Sequence, residues 1–148
     1  MSKAWWLLAL PFVAGAFLPL QAGINGQLAK QVSSVMSAAL ISFLVGTLAL
    51  LAVVLMLREV PTLDALKGVS WWQWCGGLLG AVFIATAAFA GPRIGALLFM
   101  ALVLAGQLSM ALTLDHFGWA GYREAPISLG KLAGLALIVG GVWLIRRG

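Results

Sequence analysis

The chain has 148 residues, of which 63% are hydrophobic and 9% charged, with a mean hydropathy of +1.07 and a formal net charge of +5. Water cannot solvate so apolar a surface, which excludes a soluble globular domain and predicts an all-α integral membrane protein. The nine Lys and Arg are scattered between apolar segments and form no stripe that could follow a phosphate backbone, so nucleic acid is excluded as a partner.

At the N-terminus, Lys3, the apolar stretch from Ala4 and "LQA" before Gly23 imitate a cleavable leader. The rest of the chain is just as apolar, however, and Gln21, Asn25 and Gln27 carry the helical pattern onward, so this stretch is expected to be the first membrane span. A helix needs about 20 apolar residues to cross a hydrocarbon core of about 30 Å. Five stretches qualify: residues 4–29, 34–57, 71–91, 94–114 and 129–146. They are expected to form a single transmembrane domain over residues 1–148.

Within the first span, Pro19 lacks a backbone donor, frees the carbonyl of Gly15 and predicts a bend near mid-membrane. Gln21 and Asn25 follow on a shared face, four residues apart, and Gly23 and Gly26 let another backbone approach. Two roles are open to these amides: lining a polar cavity that binds substrate, or hydrogen-bonding between helices as structural glue. The second span, Val35 to Leu57, carries no charge and stops at Arg58 and Glu59. "EVPTLDALKGVS" follows, with a Thr62 cap and Leu63 and Leu66 on one side, and reads as a short interfacial helix or a loop. Trp71, Trp72 and Trp74 open the third span, Trp5 and Trp6 the first, and Trp119 and Tyr122 follow the fourth; with five spans, all these positions share one membrane face and form an aromatic belt. Arg93, after Pro92, sits at a two-helix corner as a topology anchor or an attractor of anions. Ser42, Thr47 and Thr86 are lesser polar candidates, since hydroxyls bond readily to their own helix. Gln107, mid-span beside Gly106 and Ser109, is the other amide expected inside the bundle. Pro126 and Ser128 are the turn and cap that start the fifth span.

Taken together, "PLQAGINGQLA", "ALISFLVGT", "GPRIGA", "LAGQL", "LDHFG" and "PISLGKLAGLALIVGGVWL" resemble, in order and over nearly the whole chain, the YdcZ-like family of the drug/metabolite transporter superfamily. The resemblance implies a multi-pass protein of the bacterial inner membrane that moves small molecules. Proteins of this type look like halves of ten-helix transporters, so it also implies a second chain. Small multidrug resistance proteins in the same superfamily place a glutamate in the first helix, where this chain has Gln21 and Asn25.

The acids Glu59, Asp64, Asp115 and Glu124 all fall outside the expected spans, which argues against a proton-exchanging carboxylate at mid-membrane. Asp115 and His116, at the end of the fourth span, are the nearest titratable pair for any coupling, and a helix-end cap with an interface anchor is their plainer role. One His and one Cys beside loop acids make no zinc site, and Ser109 has no base to activate it, so neither an enzyme, a metal nor a cofactor is expected.

In a five-span arrangement Lys3, Arg58, Lys67, Arg123 and Lys131 lie on the N-terminal side and Lys30, Arg93, Arg146 and Arg147 opposite, five against four. So small a bias predicts insertion in both orientations and an antiparallel homodimer, the inverted repeat of many transporters. With the four acids added, the sides carry +1 and +4. That asymmetry favours the rival arrangement, one orientation paired with a homologous subunit. The expectation is therefore an exporter of small apolar or amphipathic organic compounds, working by alternating access with Gln21, Asn25 and Gln107 facing the substrate. Its rivals are a passive channel for a small ion or neutral solute and a non-transporting subunit of a heterodimer.

Overall fold

The computed structural model describes the backbone of residues 5–148 and the side chains from residue 9. Lys3 and the expected start of the first span at Ala4 lie outside the described residues, as do the side chains of Trp5 and Trp6. Among the described residues six α-helices follow one another: α1 (Trp5–Gln31), α2 (Val35–Leu57), α3 (Leu63–Lys67), α4 (Cys75–Ile94), α5 (Ala96–Phe117) and α6 (Leu129–Arg147). No strand occurs among the described residues. Among the described residues four helical stretches are long and apolar enough to cross a membrane: Val35–Leu57, Trp71–Ile94, Ala96–Phe117 and Leu129–Arg147. The chain divides into two compact units, Met1–Arg93 and Ile94–Gly148.

In the first unit α1 is one helix through Pro11, Pro19 and the amides Gln21, Asn25 and Gln27. It closes in a Schellman turn: Ser33 takes the left-handed conformation (φ 54°), its N–H reaching the Lys30 carbonyl at 3.3 Å and the Ser34 N–H reaching Ala29 at 3.1 Å. Ser34 then switches role and caps α2, its Oγ accepting from the Ser37 N–H at 3.1 Å. α2 ends by the same device at Arg58 (φ 57°). Thr62 caps α3 through the Ala65 N–H, so the segment after Pro61 is a short helix. A 3₁₀ turn, Trp71–Trp74, leads into α4, with the Gln73 side chain accepting from the Ser70 N–H at 2.7 Å.

The packing follows membrane rather than aqueous rules. Between helices in lipid there is no hydrophobic drive, so close approach by small residues and dispersion contacts must hold them together. Ala22 and Ala29 of α1, Ala38 and Ala39 of α2, and Ala87 and Ala88 of α4 are buried, whereas Leu44, Val45, Leu48 and Leu50 of α2 are exposed. An aqueous protein would bury such a row of leucine and valine.

The helix ends near the fourth span differ from expectation. α4 continues through Pro92 to Ile94, and α5 begins at Ala96. The break is made by Gly95, whose φ of 86° suits only glycine, and not by the proline. In the second unit α5 also runs a turn past Leu114, to Phe117, before Gly118 (φ 62°) stops it. Asp115 and His116 therefore lie within the last turn of α5, at the end of a membrane-length helix. α5 packs against α6, which Ser128 caps through the Lys131 N–H at 3.3 Å. Lys131 Nζ donates to the carbonyls of Ala125 and Pro126, fixing the approach to that helix.

Candidate functional site

Ala22, Asn25, Gly26 and Ala29 are the buried positions of α1 among the described residues, spaced as one helical face. Asn25 is 4% exposed and is the buried polar residue among those described. Its Nδ2 has no hydrogen-bond partner. An unpartnered amide nitrogen in this setting costs about 1–3 kcal/mol in lost solvation, so the sequence maintains a donor that the first unit's own packing leaves unused. One residue further on, Gly26 meets α4: a Cβ there would stand 2.5 Å from Cγ of Pro92 and 3.6 Å from the Ala88 carbonyl oxygen. Gly23, by contrast, has nothing within 4 Å of a notional Cβ.

Gln21 is exposed and lines a cavity of about 200 Å³ with Ser42, Phe43, Gly46, Thr47, Leu50 and Ile84. Gly80 of α4 sits under Phe43, its notional Cβ 3.3 Å from the ring, so the aromatic is held from below. The cavity thus combines one amide and two hydroxyls with aromatic and aliphatic walls, a surface matched to a molecule with an apolar body and a polar tip. Thr86, Ser109 and Thr113 instead donate to carbonyls of their own helices at 2.8–3.0 Å. The sequence rule that hydroxyls satisfy themselves separates these from Ser42 and Thr47 only once the cavity is known. Phe43 and Ile84, as ordinary apolar residues, carry no signal in the sequence that would single them out.

Gln107 belongs to the second unit and is exposed on α5. In that unit Asp115 and Lys131 line a cavity of about 290 Å³ between α5 and α6 without forming an ion pair. The Asp115 carbonyl accepts from the Ala125 N–H at 2.7 Å, and His116 Nδ1 is buried without a partner while its ring meets Phe117 edge-on at 4.7 Å. No group of three or more potential metal ligands occurs among the described residues.

Long apolar helices packed through alanine and glycine, with one buried unpartnered amide among the described residues, define a multi-pass membrane protein. The family described as "Putative inner membrane exporter, YdcZ" matches residues 5–144, and the chain belongs to it. The chain is 28% identical over 141 residues to "Inner membrane protein YdcZ" of Escherichia coli (strain K12), an alignment covering 95% of this chain and 94% of the relative. No solved structure matches. Membership makes it a transporter of the bacterial inner membrane rather than an enzyme.

Proposed function

We propose that this chain exports small apolar or amphipathic organic compounds by alternating access, and that Gln21, Asn25 and Gln107 face the substrate path. The observation that carries the reading is the buried Asn25 amide with its unpartnered Nδ2. A residue serving only as glue between α1 and its neighbours in this unit would have its bond made. The amphipathic lining beside Gln21 supports a substrate of the same character, and amides, which exchange no protons, suit neutral polar groups. Asp115 and His116 are the titratable pair available for coupling, Asp115 opening onto the cavity that Lys131 shares.

The same proposal takes α1 as a fifth span, since 27 residues at about 1.5 Å each exceed the hydrocarbon thickness, and takes residues 1–148 as one transmembrane domain. A second copy in the opposite orientation completes the transporter. Gly23, open in the single chain, and Gln107, an exposed amide in a membrane-length helix, are surfaces such a partner would cover. The +1 and +4 charge balance favours the alternative of a homologous subunit with fixed orientation. A passive channel is disfavoured, because Gln21, Ser42 and Thr47 cluster around one cavity instead of forming a polar line.

Reconstitution of the purified single chain into liposomes, assayed with a panel of fluorescent amphipathic dyes, tests the function. Concentrative movement of at least one dye is expected. Inactivity toward the whole panel, relieved only by adding a homologous subunit, would overturn the homodimeric version; flux with no accumulation against a gradient would favour the channel.

A further inference from the structure

A cavity of the first unit lies where α1 ends, α2 begins and α4 ends. It measures about 420 Å³ and is lined by Lys30, Ser33, Ser34, Pro92 and Arg93, with Gly26 and Ala88 beneath. Two cations open into it, and none of the four acids of the chain lines it. Arg93 has its guanidinium stacked 3.9 Å over the Phe89 ring, and one of its nitrogens donates to the Phe89 carbonyl. Stacking of this kind fixes the plane of the group and leaves most of its five donors free. Lys30 is exposed and in no ion pair among the described residues. Two hydroxyls, from Ser33 and Ser34, complete the rim. Ser33 occupies a left-handed position that glycine would fill without strain, at a cost of about 1–2 kcal/mol. An extra hydroxyl donor at the cavity is what the serine provides in exchange.

From this geometry we infer that the cavity binds a phosphate group, with Lys30 and Arg93 supplying charge-assisted donors and Ser33 a neutral one. Its volume admits a phosphodiester headgroup, and its position at the ends of two membrane-length helices, with Met36 and Leu40 of α2 exposed nearby in the chain, is where an anionic phospholipid presents its phosphate and then its acyl chains. A soluble phosphate ester offers the same chemistry without the chains. Occupancy would brace the α1–α2 turn against α4 through Pro92 and Arg93, one turn from Asn25. The site is independent of which substrate is carried.

Native mass spectrometry and thermal melting of the purified full chain test the inference, with added phosphatidylglycerol, phosphatidylcholine or inorganic phosphate. Wild type is expected to retain phosphatidylglycerol and melt higher in its presence, with apparent affinity falling about tenfold or more in Lys30→Gln/Arg93→Gln. The control Arg146→Gln/Arg147→Gln removes the same charge elsewhere and is expected to bind as wild type does. Lys30→Gln alone, on an exposed side chain, keeps the test readable if the double variant folds poorly, and is expected to show a smaller loss. Stabilisation by inorganic phosphate equal to that by lipid, lost in the same variants, would keep the phosphate site and assign it to a soluble ester. Equal loss in both double variants, or no preference for phosphatidylglycerol over phosphatidylcholine together with no effect of phosphate, would overturn it.

Discussion

Gly26 of α1 and Pro92 of α4 touch so closely that a single added methyl group on Gly26 would lie 2.5 Å from the proline ring. The contact sits one residue from the buried Asn25, so the packing that brings α4 against α1 also sets where that amide points.

Gly26→Ala is therefore expected to overpack the pair. The proline ring is anchored at both ends to the backbone and cannot rotate away, and the loss should be about 1–3 kcal/mol, read as a lower melting temperature by tryptophan fluorescence in detergent. Adding Pro92→Ala should restore part of it. Gly23→Ala, made in the same helix where nothing lies within 4 Å, should be neutral or slightly stabilising in the isolated chain. Equal damage at both glycines would mean that the α1–α4 contact is not what limits stability.

The helix caps make a separate prediction. Ser34→Ala and Ser128→Ala each remove a side-chain acceptor from a helix start and should cost about 1 kcal/mol. Ser33→Gly should act in the opposite sense, stabilising by about 1 kcal/mol through relief of the left-handed backbone. If Ser33→Gly destabilises, the strain assigned to that turn is absent.

The Thr62 and Ser128 caps and the second helix were legible in the sequence because their signals are local. An uncharged run bounded by Ser34 and Arg58 admits few other limits, and the expected 34–57 became Val35–Leu57. The Ser128 start of the last helix was equally plain. The end of α4 was not, since a proline normally argues for a boundary, and only the dihedral of Gly95 shows that the helix outlasts Pro92. Nor was the continuation of α5 over Asp115 and His116, because polarity at a helix end looks the same in sequence as polarity just beyond it. Gln21 and Asn25 were both visible as amides on a shared face. That Asn25 is enclosed while Gln21 stands at the edge of a cavity depends on contacts with α2 and α4, which no spacing within α1 encodes. The Lys30 and Arg93 cavity was hidden for the same reason, its two cations lying 63 positions apart in the chain.

Orientation is the third prediction. With basic residues split five against four, a reporter fused to the C-terminus should give signal on both sides of the membrane. Introducing two lysines into the 59–70 connection should collapse it to one side. Signal from one side only in the unmodified chain would end the antiparallel homodimer and leave the paired-subunit arrangement.

The central claim is that Asn25 is kept for the substrate at the expense of stability, and the most direct measurement is melting temperature and dye accumulation recorded together for Asn25→Leu. Leucine has the same branched skeleton of four side-chain heavy atoms as asparagine and leaves no unpartnered donor in the buried site; its methyl groups are bulkier than the amide atoms, so the variant should melt close to wild type, with about 1–3 kcal/mol of regained solvation offsetting a comparable overpacking cost. Its accumulation of dye in inside-out membrane vesicles should nevertheless fall at least tenfold at equal protein level. A variant that melts lower and loses transport only in step with assembly would contradict this, and would show that Asn25 holds helices together instead of meeting what passes between them.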